Sequence, residues 1–181
     1  MDNKDRFLNR YNPSRDLTVA LSKSWGAAVG HNLLYKETCA LGASVRKEIH
    51  STWTKLVDQP AFQKMNSEQY ENSFLQLQIE MNAKWGEHIY FRLSHAQKGL
   101  SVYMKHLWCM RKISEPAQCP VDKVILSEIT KNNAYKCLQN KAWTKIDSIS
   151  EHQEIILAIE SIAVTAKKTI AQWELDTFLP S

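Results

Sequence analysis

The stretch SHAQKGLSVYMKHLWCMRKISEPAQCPVDKVIL, from Ser94 to Leu126, predicts two helices joined by a short connector. Ser94 is a good N-cap for the first helix, because its hydroxyl can accept hydrogen bonds from the free amides of the first turn. An apolar stripe at helical spacing follows and comprises Leu100, Tyr103, Met104, Leu107 and Trp108. Pro116 ends this helix. Pro120 and Asp122 suit the first turn of the next helix, where proline needs no amide partner and a carboxylate faces the positive end of the dipole.

Helical spacing of apolar residues continues on both sides of this stretch. It predicts helices over residues 17–25, 44–58 and 67–85, with a tight connection bracketed by Gly26 and Gly30. No run of alternating apolar and polar residues is long enough to predict a strand. The pattern therefore favours an all-α fold.

The two ends of the chain are predicted to differ in structure. Residues 1–15 are polar and form an N-terminal arm, which docks by a short helical face that includes Phe7 and Leu8. Residues 150–176 form one long C-terminal helix with an isoleucine-rich face toward the core. The length fits one domain, so we predict a single compact all-α domain over residues 1–181 with about seven or eight helices.

The bulk composition is that of an ordinary globular protein, with 44% apolar and 23% charged residues. A formal net charge of +4 permits a polyanionic partner but does not require one. No apolar run approaches the length of a membrane span, and the charged N-terminus lacks the apolar segment of a signal peptide. We therefore expect a cytoplasmic protein without a membrane partner.

The cysteine pattern predicts buried thiols and no metal site. Cys39, Cys109, Cys119 and Cys137 lack the CxxC spacing of common zinc sites. His106 and Cys109 stand at i and i+3, but a second closely spaced pair is missing, so structural zinc is the minor alternative. In a reducing cytosol such cysteines mostly act as small buried apolar residues. A nucleotide-binding fingerprint is also missing from the chain, and no cofactor is predicted.

A lysine and an aspartate within the opening stretch define the candidate chemistry. Lys98 lies near the start of the first helix, and Asp122 opens the second helix within the sequence Pro-Val-Asp. This order resembles the helix-hairpin-helix DNA glycosylase superfamily, over Ser94 to Leu126 only. In that family a lysine at the start of one helix is followed by an essential aspartate at a helix N-terminus. The family's glycine-rich turn, which holds a DNA phosphate, is absent from RLSHAQ at residues 92–97.

The resemblance implies a catalytic role for both residues. Lys98 would attack the sugar C1′ of a flipped nucleotide and form a Schiff base, and Asp122 would stabilise the developing oxocarbenium ion. An amine must be partly neutral to act as a nucleophile, which burial and neighbouring cations favour. A carboxylate that faces a developing cation stabilises it electrostatically. These roles require that the two side chains lie within a few ångströms in a concave, basic, aromatic-lined pocket that a flipped base can enter.

Four basic residues are predicted to contact nucleic acid: Lys105, Arg111, Lys112 and Lys123. Lysines at heptad spacing on one helix face can follow a phosphate backbone, although an ordinary solvated face has the same pattern. We therefore predict a helical protein that interacts with DNA. One alternative is a non-enzymatic interaction module or homodimer that uses the C-terminal helix and exposed tryptophans. Another is a domain that binds a small molecule.

Overall fold

Helices form nearly all of the regular structure of the described residues, and the prediction of an all-α fold is confirmed. The computed structural model describes residues 1–30, 34–36 and 41–179, apart from the side chains of residues 61 and 63. Its α-helices are α1 (Asn3–Tyr11), α2 (Leu17–Val29), α3 (Ala43–Val57), α4 (Ser67–Trp85), α5 (Leu93–Cys109), α6 (Lys123–Ile129), α7 (Ile149–Thr165) and α8 (Ile170–Phe178). Short 3-10 segments occupy Pro60–Gln63, Asn133–Asn140 and Trp143–Lys145.

Extended backbone is limited to one pairing in the part of the chain that the structure describes. Tyr35 and Ile89 form a single antiparallel bridge, and no strand is built on it within the described ranges. None of the described helices is long and apolar enough to cross a membrane.

Helix α5 lies at the centre of the molecule. All but two of its residues are buried, and it contacts α2 along its length as well as α4 and α1. The predicted stripe of Leu100, Tyr103, Met104, Leu107 and Trp108 is buried throughout. The opposite, polar face is also covered, since Gln97 and His106 are buried as well. A helix that is covered on every side serves as the scaffold on which the other helices pack.

Close packing between α2, α3 and α5 depends on a glycine. A Cβ atom added to Gly99 would lie 2.3 Å from the Trp53 ring and 3.0 Å from Ala28 Cβ. The Trp53 Nε1–H donates to Ser24 Oγ at 3.1 Å, and the Ser24 hydroxyl donates to the Gly99 carbonyl at 2.8 Å. The three helices are therefore joined by a short hydrogen-bonded chain at a point where only glycine fits.

The start of α5 differs from the prediction. Ser94 lies inside the helix and does not cap it, and its hydroxyl donates to the Thr144 carbonyl at 3.0 Å. The first-turn amides find long-range acceptors: Ser94 N–H donates to the Ile146 carbonyl at 3.0 Å, and Leu93 N–H to Asp147 Oδ1 at 3.1 Å. A distant segment therefore satisfies the amides that a local cap would otherwise bind.

The prediction of one helix over residues 150–176 is wrong. The helical region is broken between α7 and α8, where Lys167 has a φ of 56°. Thr169 then caps α8: its hydroxyl oxygen accepts from Gln172 N–H, and the Gln172 side chain accepts from Thr169 N–H. This capping box starts a new helix, and the change of direction brings Glu174 against α5.

Helix α2 is longer than predicted. Residues Gly26 to Val29 belong to it, and Gly30 N–H donates to the Gly26 carbonyl at 2.8 Å. The expected tight connection at the two glycines is therefore helical. Glycine weakens an isolated helix, but packing of α2 against α5 outweighs that preference.

The N-terminal arm docks as predicted. Phe7 and Leu8 of α1 are buried in a small apolar cluster with the end of α5 and with α8, which includes Trp108, Cys109, Ala171, Leu175 and Leu179. The remaining apolar core is larger and is built mainly by α2 to α7. Burial of two large side chains is enough to place α1 over one end of α5.

The tryptophans are buried or half-buried, whereas the interaction alternative relied on exposed ones. Trp53, Trp108, Trp143 and Trp173 are buried, and Trp25 and Trp85 are half-buried. Their rings therefore serve the core, so the interaction alternative loses its exposed tryptophans.

Candidate active-site cavity

A cavity of about 260 Å³ opens between α1, α2, α5, the start of α6 and α8. Its aromatic wall consists of Phe7 and Tyr11 from α1 and Phe178 from α8. Its charged residues are Lys23, Lys98, Lys105, Asp122 and Glu174. Concave sites with apolar walls and a few convergent polar groups are typical of ligand sites.

The structure brings Lys98 and Asp122 together at this cavity. Lys98 Nζ lies 3.4 Å from Asp122 Oδ2, and each side chain is only 14% exposed. The ammonium also lies 4.0 Å from the centroid of the Trp143 ring. The other oxygen, Asp122 Oδ1, accepts from the N–H groups of Val124 and Ile125 at 2.9 and 3.1 Å. One carboxylate therefore caps α6 with one oxygen and contacts Lys98 with the other.

A buried side-chain amide fixes this arrangement. The Gln97 amide nitrogen donates to the Val121 carbonyl at 2.9 Å, and its oxygen accepts from Val121 N–H at 3.1 Å. Gln97 precedes Lys98 on α5, and Val121 precedes Asp122. The paired hydrogen bonds therefore hold the connector against α5 beside the ion pair.

Burial lowers the pKa of Lys98, and this effect outweighs the neighbouring Asp122 carboxylate, which favours the ammonium. The nearby Lys105 ammonium also lowers the pKa of Lys98. A larger fraction of neutral amine is therefore present at Lys98 than on an exposed lysine. This is the property that a lysine nucleophile needs.

A second charged pair lies in the same cavity. Lys105 Nζ lies 2.7 Å from Glu174 Oε1, and the two side chains are 6% and 2% exposed. The ammonium also lies 4.1 Å from the ring centroid of Phe178 and 4.9 Å from that of Phe7. Helices α1 and α8 cover this part of the polar face of α5, so Lys105 is buried and does not belong to an exposed basic stripe. Its contact with a DNA phosphate stays a prediction.

Two buried polar atoms of cavity residues have no hydrogen-bond partner in the described structure: His106 Nδ1 and Glu174 Oε2. Burial and the cations Lys105 and Lys23 lower the pKa of His106 to about 4, so its ring is neutral at pH 7. Burial raises the pKa of Glu174, although Lys105 opposes this change. Buried polar atoms are nearly always hydrogen-bonded in folded proteins, so these two atoms call for a partner outside the described residues, an ordered water or a ligand.

The remaining predicted nucleic-acid contacts are exposed. Arg111 forms ion pairs with Asp2 at 3.0 Å and with Asp5 at 3.3 Å. Lys112 and Lys123 form no ion pair with the described residues. Lys105 is buried and Arg111 pairs with the acidic start of the N-terminal arm, so Lys112 and Lys123 are the two exposed residues of this set without an ion pair among the described residues.

Several cavity residues were not predicted from the sequence, namely Lys23, Gly26, His106 and Glu174. The assumption of one long C-terminal helix hid the role of Glu174. Glu174 is the only carboxylate among the four buried residues of the short helix α8; the other three are Ala171, Trp173 and Leu175. A lone carboxylate on a buried helix face is the signal that correct helix bounds would have given.

The thiols fit the prediction in two of the three described cases. Cys109 and Cys119 are buried. Burial raises the pKa of the Cys109 thiol to about 12, and it also raises the pKa of the Cys119 thiol. Cys137 is exposed, and Cys39 lies outside the described residues. Within those residues no three His, Cys, Asp or Glu side chains are grouped to hold a metal ion.

No family model, curated protein or solved structure matches this chain.

Proposed function

We propose that this protein is a DNA glycosylase-like enzyme that acts on a flipped nucleotide through Lys98 and Asp122. The observation that carries the proposal is the 3.4 Å approach of Lys98 Nζ to Asp122 Oδ2 at an aromatic-lined cavity. The lowered pKa of Lys98 supports a nucleophilic role. The resemblance of the opening stretch to helix-hairpin-helix glycosylases supports the same two residues.

The proposed reaction begins with the neutral amine of Lys98. Its nitrogen forms a bond to C1′ as the bond from C1′ to the base breaks, and the base leaves with the electron pair and takes up the proton that the amine releases. Protonation of O4′ then opens the sugar ring at the C1′–O4′ bond and gives the Schiff base. Water hydrolyses it, which restores the lysine and leaves an abasic aldehyde.

Asp122 is suited to stabilise positive charge at C1′. Two backbone amides hold Oδ1, so the carboxylate cannot turn away from the cavity, and the low exposure limits screening by water. A fixed negative charge that requires no reorganisation is the main electrostatic contribution an enzyme can make to such a transition state.

Borohydride trapping tests this chemistry. Oligonucleotides that carry an abasic site or one of a panel of damaged bases are incubated with the protein, and borohydride reduces any Schiff base to a stable amine. Lys98→Ala should abolish the trapped adduct, and Asp122→Asn should slow base release about 100-fold, the scale of losing one electrostatic contact in a transition state. Lys47→Ala, which removes an exposed lysine of α3 outside the predicted site, should leave trapping unchanged.

Two results would refute the proposal. One is the absence of both trapping and base release across the panel. The other is an adduct that persists in Lys98→Ala and depends equally on exposed lysines outside the cavity, such as Lys47.

We also propose, as the second candidate, an interaction module that uses α7. Leu157 and Val164 are 64% and 67% exposed, and they lie seven residues apart, hence on one face of the helix. If this face mediates self-association, sedimentation equilibrium will give a mass above 20.9 kDa that rises with concentration, and Leu157→Ser will abolish the rise. A monomeric mass at all concentrations would refute self-association through this face.

A further inference from the structure

The two charged pairs of the cavity lie at different depths. Lys98 and Lys105 are seven residues apart on α5, which places them on one side of the helix about 10 Å apart along its axis. The side chains of the Lys98–Asp122 pair are 14% exposed, whereas those of the Lys105–Glu174 pair are 6% and 2% exposed. A ligand that reaches Lys98 therefore extends toward Lys105 and Glu174 at the deeper end.

The deep end offers an acceptor to a ligand that carries a hydrogen-bond donor. Lys105 occupies only Oε1 of Glu174, and Oε2 has no partner in the described structure. A carboxylate oxygen of an ion pair can only accept, so the missing partner is an N–H or O–H group. The neutral His106 ring offers Nδ1 as an acceptor or a donor according to its tautomer. Neither atom has a partner among the described residues.

The walls of the cavity favour a flat ligand. Phe7, Tyr11 and Phe178 contribute rings to the lining, and the volume of about 260 Å³ is smaller than a typical drug-sized site. Aromatic side chains bind flat heterocycles by stacking, and base–aromatic stacking contributes about 1–3 kcal/mol per base in single-strand binding proteins. A nucleobase combines a flat ring with N–H groups at its edge.

A cation without an ion pair lies at the rim. Lys23 of α2 lines the cavity, is exposed and forms no ion pair with the described residues. Gly26, one turn further along α2, also lines the cavity and leaves open space, since an added Cβ would meet no atom within 4 Å. An anionic group can therefore approach Lys23 beside α2 without a steric obstacle.

We infer that the cavity binds one nucleotide, with the N–H edge of its base against Glu174 Oε2 and His106 Nδ1 and its phosphate on Lys23. This assignment rests on the proposed function and names the recognition residues of the same cavity. The sugar, which joins the base to the phosphate, then lies next to the Lys98–Asp122 pair. Glu174 and His106 select the base, and Lys23 holds the backbone.

Calorimetric titration with nucleoside monophosphates tests the assignment. The four common monophosphates are compared with ribose 5-phosphate, which lacks the base, and with the free nucleosides, which lack the phosphate. We expect at least one monophosphate to bind at least tenfold more tightly than ribose 5-phosphate and than its own nucleoside. Glu174→Gln should weaken that binding at least tenfold and Lys23→Gln about threefold to tenfold. Lys47→Gln, at an exposed lysine of α3, should have no effect.

A second variant protects the test against loss of folding in Glu174→Gln. Gly26→Met adds a side chain at a position where a Cβ meets no atom, so the fold should persist while the narrowed cavity loses nucleotide binding. Equal binding of ribose 5-phosphate and the monophosphates would overturn the inference, as would the absence of monophosphate binding at millimolar concentration. Binding that neither Gly26→Met nor Glu174→Gln alters would also overturn it.

The outcomes separate this inference from the proposed function. Nucleotide binding with the expected variant effects, but without borohydride trapping, would support the nucleotide site and refute the proposed glycosylase activity. If Glu174→Gln and Gly26→Met leave borohydride trapping unchanged, the glycosylase chemistry is supported and the nucleotide recognition site is refuted.

Discussion

Gly26 and Gly99 both lie within helices, yet their surroundings differ completely. Gly26 borders the cavity, where an added methyl group meets nothing, whereas a methyl group on Gly99 would overlap the Trp53 ring. The sequence marks both residues equally as helix-weakening. Only the packing partner decides whether glycine is required.

Alanine substitution at these two glycines should therefore have opposite effects. Gly26→Ala should raise the free energy of unfolding by about 0.5–1 kcal/mol, because alanine is the better helix former and no clash arises. Gly99→Ala should lower it by about 1–3 kcal/mol, because the rigid Trp53 ring cannot yield without disturbing the core. Urea denaturation of both variants measures the difference. A stabilised Gly99→Ala would contradict the packing described for α2, α3 and α5.

The buried Lys105–Glu174 pair should be strongly coupled. Lys105→Met leaves the Glu174 carboxylate buried without its cation and should lower the free energy of unfolding by about 3–5 kcal/mol. The double variant Lys105→Met/Glu174→Leu should recover most of that loss, because no isolated charge remains. Urea denaturation of the single and double variants gives the coupling. Additive losses would show that the two side chains do not interact.

At the scale of elements, the position of α8 shapes the cavity. The helix begins anew after the break at Lys167 and returns toward α5, and it brings Glu174 and Phe178 to the cavity. Helix α1 closes the other side with Phe7 and Tyr11, and Arg111 holds its start through Asp2 and Asp5. Elements from the two ends of the chain therefore complete a cavity that α2, α5 and the start of α6 also line.

The Thr169 cap of α8 should contribute measurably to the free energy of unfolding. Thr169→Ala removes the hydroxyl that accepts from Gln172 N–H and should lower the free energy of unfolding by about 1 kcal/mol. Thr169→Ser keeps a capping hydroxyl and serves as the control. Thermal denaturation compares the variants, and equal melting temperatures for Ala and wild type would mean that packing alone sets the start of α8.

For the whole molecule, buried neutral histidines link stability to pH. Burial lowers the pKa of His95, His106 and His152 to about 4. Arg92 N–H donates to His95 Nδ1 at 2.8 Å, which requires that this nitrogen carries no proton. Protonation is therefore unfavourable in the folded state, whereas in the unfolded chain a histidine takes up a proton near pH 6.5.

The sign of the effect follows from this difference. Between pH 6.5 and 4 the unfolded chain binds more protons than the folded one, so stability is complete above about pH 6.5 and is lost as the pH falls toward 4. Each histidine contributes at most about 1.4 kcal/mol per pH unit in this window. Glu174, whose folded pKa is raised, acts in the opposite direction as its proton is taken up, but three groups outweigh one.

Urea denaturation at several pH values and NMR titration test this expectation. The urea midpoint should fall between pH 6.5 and 5, and the three ring signals should keep their neutral shifts down to pH 5. A histidine among the three that titrates between pH 6 and 7 would contradict its burial in a neutral form.

The sequence by itself determined the helical class of the fold and the buried face of α5. A 3.6-residue periodicity is a local property, so it correctly gave the all-α fold and the buried stripe from Leu100 to Trp108. The order of Lys98 and Asp122 along the chain also pointed to a pair that the structure brings to 3.4 Å. The sequence order does not enforce this approach; the paired hydrogen bonds between Gln97 and Val121 hold the connector against α5 and bring the two residues together.

Only the tertiary structure decided what covers the polar face of α5. Periodicity shows which residues share a face, but it does not show which distant helix lies on that face. Burial of Lys105 depends on Glu174 and Phe7, which come from opposite ends of the chain. The break before Thr169 redirected α8, and long-range packing thereby turned an expected phosphate-binding lysine into half of a buried ion pair. The cavity and its unpaired polar atoms arise from these contacts, which no local pattern encodes.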